Sequence, residues 1–190
     1  MVSVFLICNN DYLITRYSIE NLIKNSDGVE LELLVIVNGQ DKRITEYLSK
    51  IIDSKKYSNL ITVGVVEDKL DLKELFNEAK GEYICLFKPD IIVNKNWLMD
   101  LVYYNYNIQN TGLASIYYGI NSNKFKPLLS FNDDFINVWE PKENLVQGIT
   151  LFKKELLKEP VYNENDIIKY FTKNGYINYY IATQNSVKIK

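Results

Sequence analysis

The sequence predicts an α/β fold: a single domain over residues 1–190 with a mostly parallel central sheet flanked by helices. Three observations carry that expectation. Short apolar runs alternate along the chain with longer segments whose apolar residues recur at helical spacing, the pattern of consecutive strand–helix–strand units. The run Tyr83 to Phe87, YICLF, is apolar throughout, as a strand buried on both faces requires. Finally, 190 residues with 47% hydrophobic content suffice for one substantial core and not for two ordinary ones.

The first strand is Val2 to Cys8, VSVFLIC. Asn9-Asn10-Asp11 then offers helix-capping side chains before an amphipathic helix from about Tyr12 to Lys24. Leu31 to Val37 is the second strand, and Asn38-Gly39-Gln40-Asp41 turns into a helix through about Ser54, with Ile44, Tyr47, Leu48, Ile51 and Ile52 at helical spacing. A third strand, Ile61 to Val66, and a third helix, Leu70 to Lys80, lead to Gly81 and the strand Tyr83 to Phe87. After Asp90 come a loop, a helix from about Asn96, and a strand from Leu113 to Tyr118.

From 119 to 144 the alternation breaks, and this segment reads as an irregular flap or acceptor segment in which Phe125, Phe131, Phe135 and Trp139 either stack on a ligand or pack a surface loop. Leu145 to Phe152 restores a strand containing Gly148, and Lys153 to Lys158 forms a short helix. Asn163 to Lys173 is the last helix, closed by Asn174-Gly175, and Tyr176 to Ala182 the last strand. The residues after Ala182 carry no clear pattern.

Composition excludes several function classes. With 22 basic and 24 acidic side chains the net charge is −2, which gives no reason to expect a nucleic-acid partner. Histidine is absent, so the usual general base near neutral pH and the commonest metal ligand are both missing. Cys8 and Cys85 lie inside apolar runs and read as buried free thiols, which suits a reducing compartment. Neither a signal peptide nor a transmembrane segment is recognisable, so a cytoplasmic protein is expected.

Lys88-Pro89-Asp90 ends the central strand abruptly. Ligands of open α/β sheets bind beyond the carboxyl ends of the strands, so Lys88 and Asp90 stand where chemistry is expected, although a plain polar exit from a strand has the same composition. Glu164 and Asp166 open the helix NENDIIKYFTK. They read either as a carboxylate pair for acid–base work or as acidic residues complementing the positive end of a helix.

The order and spacing of VSVFLIC, ELLVIVNGQD, EAKGEYICLFKPDIIVNKNWLMDL, LVQGITLFKKELL and NENDIIKYFTKNGYINYYIA resemble the family 2 glycosyltransferases of the GT-A fold, over nearly the whole chain. That resemblance implies a Rossmann-like domain that transfers a sugar from a nucleotide-sugar donor, with UDP-sugars first among the donors, to a glycan, lipid-linked or protein acceptor. Asn9 falls where the family lines the nucleotide cleft, and Asn38 where it places an Asp or Asn beside the nucleobase. Lys88-Pro89-Asp90 lies on the family's Asp-X-Asp motif, so Asp90 matches the second acid and Lys88 replaces the first. Glu164 falls on the catalytic-base carboxylate, with Asp166 two residues on, while Asn163 and Tyr170 depart from the usual Glu and Arg.

Inverting transfer needs a carboxylate to take the acceptor's proton and positive charge to stabilise the departing diphosphate. The family holds Mg²⁺ or Mn²⁺ for the second task. Here Asp90 is the remaining candidate metal ligand, and the expectation is no metal or a weakly bound one, with Lys88 supplying charge and Lys73 adding to it if its side chain turns inward. An inactive GT-A domain serving as a binding or scaffold module is the alternative. A nucleotidyltransferase is disfavoured because Cys8-Asn9-Asn10-Asp11 stands where a Gly-rich phosphate loop is needed.

Overall fold

A computed structural model of the chain describes residues 1–8, 11–37, 41–53, 61–65, 72–116, 125–130, 137–141, 148–182 and 186–188. In chain order the elements are β1 (Val2–Cys8), α1 (Tyr12–Asn25), β2 (Leu31–Val37), α2 (Lys42–Asp53), β3 (Ile61–Val65), α3 (Leu72–Glu78), β4 (Tyr83–Phe87), β5 (Ile91–Val93) and α4 (Trp97–Asn107). There follow β6 (Thr111–Ile116), β7 (Phe125–Ser130), β8 (Asn137–Pro141), β9 (Ile149–Lys153), a 3₁₀ turn (Lys154–Leu156), α5 (Glu164–Lys173), β10 (Ile177–Ala182) and β11 (Ser186–Lys188).

Nine of these strands form one sheet in the order β3-β2-β1-β4-β9-β6-β10-β8-β7. β4 lies inside it, parallel to β1 on one side and antiparallel to β9 on the other. β9 and β8 run against the other seven strands, so the sheet is mostly parallel in direction with two reversed strands inserted.

Pleating sends alternate residues of each strand to opposite faces, and the two faces build two cores. Val4, Leu6, Cys8, Cys85 and Phe87 pack under α1, α2 and α4 through Ile19, Leu22, Ile44, Leu48, Trp97 and Leu101. Phe5, Ile84 and Leu86 pack on the other face under α3 and α5 through Leu72, Phe76, Ile167, Ile168 and Phe171. Phe5, Phe76, Phe152 and Phe171 form an aromatic string with successive centroids 5.1, 5.6 and 5.7 Å apart. Each such pair contributes about 0.5–1.5 kcal/mol beyond its buried area, which fixes α3 and α5 against the sheet.

At the amino-terminal end of the sheet the Glu32 carboxylate is buried, accepting from the Ser3 hydroxyl and the Lys80 amide at 2.5 Å each. Gly81 donates its amide to Ser3 Oγ at 2.8 Å, and a Cβ on Gly81 would stand 2.5 Å from the Ser3 nitrogen. Only glycine allows this approach of the chain entering β4 to β1.

Three stretches differ from the sequence reading. The segment 119–144 contains β7 and β8, an antiparallel pair that extends the sheet from β10, so its described part is regular. Pro127 sits on β7, the edge strand, where proline is tolerated, and the register shifts beside it. Phe131 and Phe135 lie outside the described residues. Ile91–Val93, read as loop, forms β5, and it pairs antiparallel with β11 in the unpatterned tail. The strand expected at Leu113 to Tyr118 is Thr111–Ile116.

Candidate functional site

The turn after β4 is held by the neighbouring strand β9 and by helix α1. The Lys88 amide continues the β4–β9 ladder by donating to the Gly148 carbonyl at 2.9 Å. From α1, buried Ser18 donates its hydroxyl to the Pro89 carbonyl, and Asn21 Oδ1 accepts from the Val93 amide at 2.8 Å. A Cβ on Gly148 would meet Ile91 Cδ1, so a larger residue there requires the Ile91 side chain to turn aside. Lys88 and Asp90 are thus the ends of a pinned turn.

Strand parity decides where Lys88 goes. It follows Ile84 and Leu86 on the face covered by α5, and its ammonium reaches Glu164 Oε2 at 3.0 Å. The Lys88 side chain is 46% exposed and that of Glu164 19%, so the ion pair lies at the rim of the sheet rather than in the core. This contact brings the amino terminus of α5 over the carboxyl end of β4, and two residues far apart in sequence meet there.

The start of α5 is built by Asn163 and Asp166. Asn163 Oδ1 accepts from the Asp166 amide at 3.1 Å, while Asp166 Oδ2 accepts from Asn163 Nδ2 at 2.9 Å and from the Tyr162 amide at 3.2 Å. This reciprocal cap satisfies helix-end donors and fixes the direction in which Glu164, the first helical residue, projects. Tyr170 ties the helix to the preceding 3₁₀ turn by donating to the Leu156 carbonyl at 2.9 Å and accepting from the Lys158 amide at 3.1 Å.

Lys73 lies on α3, on the same side of the sheet as α5, and its ammonium donates to the Lys158 carbonyl. Asp90 is half-buried in the turn. Asn9 and Asn38 lie outside the described residues. The structure therefore brings Lys88 and Glu164 together, with Asp166 behind Glu164 and Asp90 beside Lys88 in sequence.

No protein-family model matches the chain, and no curated protein does. Solved structures match over its whole length. S. aureus TarS, residues 1–349, superposes with a TM-score of 0.66 at 14% identity, over 99% of this chain and 60% of that one. A mannosyltransferase from Pyrobaculum calidifontis, solved with GDP-Man and Mn²⁺, gives 0.69 at 14% identity over 96% and 54%. GalNAc-T7, solved with UDP, GalNAc and Mn²⁺, gives 0.70 at 13% identity over 100% and 44%. This chain has the GT-A fold. It spans about half the length of these glycosyltransferases.

Two of these GT-A structures contain Mn²⁺, which makes a divalent cation a question for this site. The residues present suit one poorly. At this turn the Lys88 ammonium occupies an oxygen of Glu164. Among the described residues no group of three or more His, Cys, Asp or Glu side chains is placed to hold a metal. An ammonium at this turn also repels a cation from Asp90.

Ser18 and Asn21, which hold the backbone of this turn, are residues that the sequence reading passed over. They lie three apart on α1, beside the buried Ile19 and Leu22, and polar side chains on an apolar face were the available signal. Among the described residues no helix is long and apolar enough to cross a membrane.

Proposed function

We propose that the chain is a nucleotide-sugar-dependent glycosyltransferase domain, with UDP-sugars the first donors to try and a glycan, lipid-linked molecule or protein as acceptor. The observation that carries this reading is the Lys88–Glu164 pair at the carboxyl edge of a GT-A sheet. A cation for the leaving diphosphate and a carboxylate for the acceptor hydroxyl stand together at the end of the central strand.

In the reaction, the bond between the sugar's anomeric carbon and the diphosphate oxygen breaks and a bond from that carbon to the acceptor oxygen forms. The acceptor's hydroxyl proton passes to Glu164, and the nucleoside diphosphate leaves with its charge countered by Lys88. Asp166 acts behind Glu164 by holding the helix start through Asn163. Asn9, Asn38 and Asp90 are assigned to the donor side, and strands β7 and β8 of the 119–144 segment to the acceptor side, while Lys73 is engaged by the Lys158 carbonyl.

A thermal-shift screen against UDP-, GDP- and dTDP-sugars and CMP-sugars, followed by assay of donor hydrolysis, tests this reading. A raised melting temperature with one donor class is expected, because a ligand that binds only the folded state stabilises it. The Glu164 contact also favours a second reading: in a domain that binds donor without turnover, the ion pair is a permanent structural bridge. Donor binding with no hydrolysis or transfer to any acceptor class would support that alternative.

A further inference from the structure

We infer that Lys88 is the diphosphate-binding group of a metal-independent donor site, and that donor binding exchanges the Lys88 ammonium from Glu164 to the diphosphate, releasing the carboxylate for the acceptor. The inference rests on the glycosyltransferase reading and deepens it by naming the trigger of the site.

The geometry supplies both halves of the exchange. Lys88 Nζ sits 3.0 Å from Glu164 Oε2 with 46% of its side chain open to solvent, so an incoming polyanion can reach it without unfolding anything. The backbone below does not move with it, because the amide is bonded to Gly148 and the next carbonyl to Ser18. The switch is therefore confined to a flexible lysine side chain above a rigid turn. A diphosphate carries more charge than one carboxylate and offers several acceptor oxygens, so it competes for a point-charge ammonium. With donor absent, Glu164 is masked. With donor present, Glu164 regains the oxygen it needs as a base, so donor binds before proton transfer.

The pair also takes the place of a cation. Relative to the acid that the resemblance implies at this position, Lys88 changes the formal charge at the turn from −1 to +1, a gain equal to the charge of a divalent ion. Glu164, the acid brought to the turn, is bonded to that same lysine, which leaves the residues present better suited to a diphosphate alone than to a diphosphate with a metal.

Calorimetric titration of UDP, GDP and dTDP in EDTA and in Mn²⁺ tests the exchange on the unmodified protein and on Lys88→Met, Lys88→Arg, Glu164→Gln and the Lys88→Met/Glu164→Gln double variant, with melting curves to confirm folding. Expected are binding in EDTA that Mn²⁺ changes less than twofold, a loss of at least tenfold in Lys88→Met with partial retention in Lys88→Arg, and a gain of threefold or more in Glu164→Gln. That gain should vanish in the double variant, because Glu164 acts through Lys88. A Glu164→Gln gain that survives without Lys88 overturns the exchange, since the carboxylate would then repel the diphosphate directly. Binding seen only with Mn²⁺ also overturns it while leaving the donor-binding reading intact. Absence of binding by all three nucleotides in both conditions, together with no melting shift for any donor in the screen, overturns the glycosyltransferase reading, and the exchange with it.

Discussion

The Ser18 hydroxyl donates to the Pro89 carbonyl, so helix α1 grips the middle residue of the turn whose two ends are Lys88 and Asp90. Proline has no N–H with which to secure that turn itself, and the bond from α1 takes over the task. Ser18→Ala leaves the part-buried Pro89 carbonyl without this donor. A loss of about 1–3 kcal/mol in urea unfolding is expected, with weaker nucleoside diphosphate binding because the turn loosens. Unfolding curves and calorimetry on the same preparation check both parts.

Gly81→Ala acts at the opposite end of the strands. Its methyl group would meet Ser3 backbone at 2.5 Å, and backbone cannot move aside as a side chain does. The entry to β4 must shift away from β1, weakening the bonds to Ser3 and Glu32, and a cost on the order of 1–3 kcal/mol follows. Nucleotide affinity of the remaining folded protein should be unchanged, as binding titrations below the lowered melting temperature will show.

Glu164→Gln keeps the shape of the side chain and removes its basicity. Transfer to acceptor should fall on the order of 10² to 10⁴-fold while donor still binds, as for a lost acid–base group. Single-turnover transfer measured with saturating donor separates this from a binding defect. Unchanged turnover would reduce Glu164 to a charge at a helix start.

Alkaline pH should destabilise the fold. Burial pushes the Cys8 thiol up from 9.0 to about 11, and it pushes Cys85 and Tyr179 up as well. Each group is held neutral in the folded state and ionises sooner when unfolded, so its contribution is complete below the unfolded value and is lost as pH rises through the folded one. For Cys8 that window is about pH 9 to 11, with a contribution on the order of 2 kcal/mol. Melting temperatures measured across this range in a reducing buffer should fall steadily, and thiol reagents at pH 8 should label the folded protein only slowly.

Much of this architecture was legible because burial leaves a mark on composition. β1, β2 and β4 are covered on both faces and read as apolar runs, broken only by Ser3 and Glu32, and the amphipathic helices between them read by their spacing. The short strands β5 and β11 did not show, since three residues held by mutual pairing need no distinctive sequence. Nor did the antiparallel insertion of β9 between β4 and β6, because direction is a property of the connection and not of the run. At the site, Lys88 and Glu164 were each legible as charges at element ends, but their meeting was not. The alternation of Ile84, Leu86 and Lys88 held the clue, since it assigns Lys88 to whichever helix covers that face.

The position of β9 sets an order on synthesis. β1, β2, β3 and β4 can associate as soon as they leave the ribosome, yet the second edge of β4 is completed only by β9, with Phe87 waiting for Ile149. Until then this apolar strand offers a row of unpaired backbone groups, the kind of edge on which chains aggregate. Release of nascent chains that end before residue 149 should therefore give insoluble material that chaperones hold, and solubility should appear in a narrow range of lengths once β9 is out.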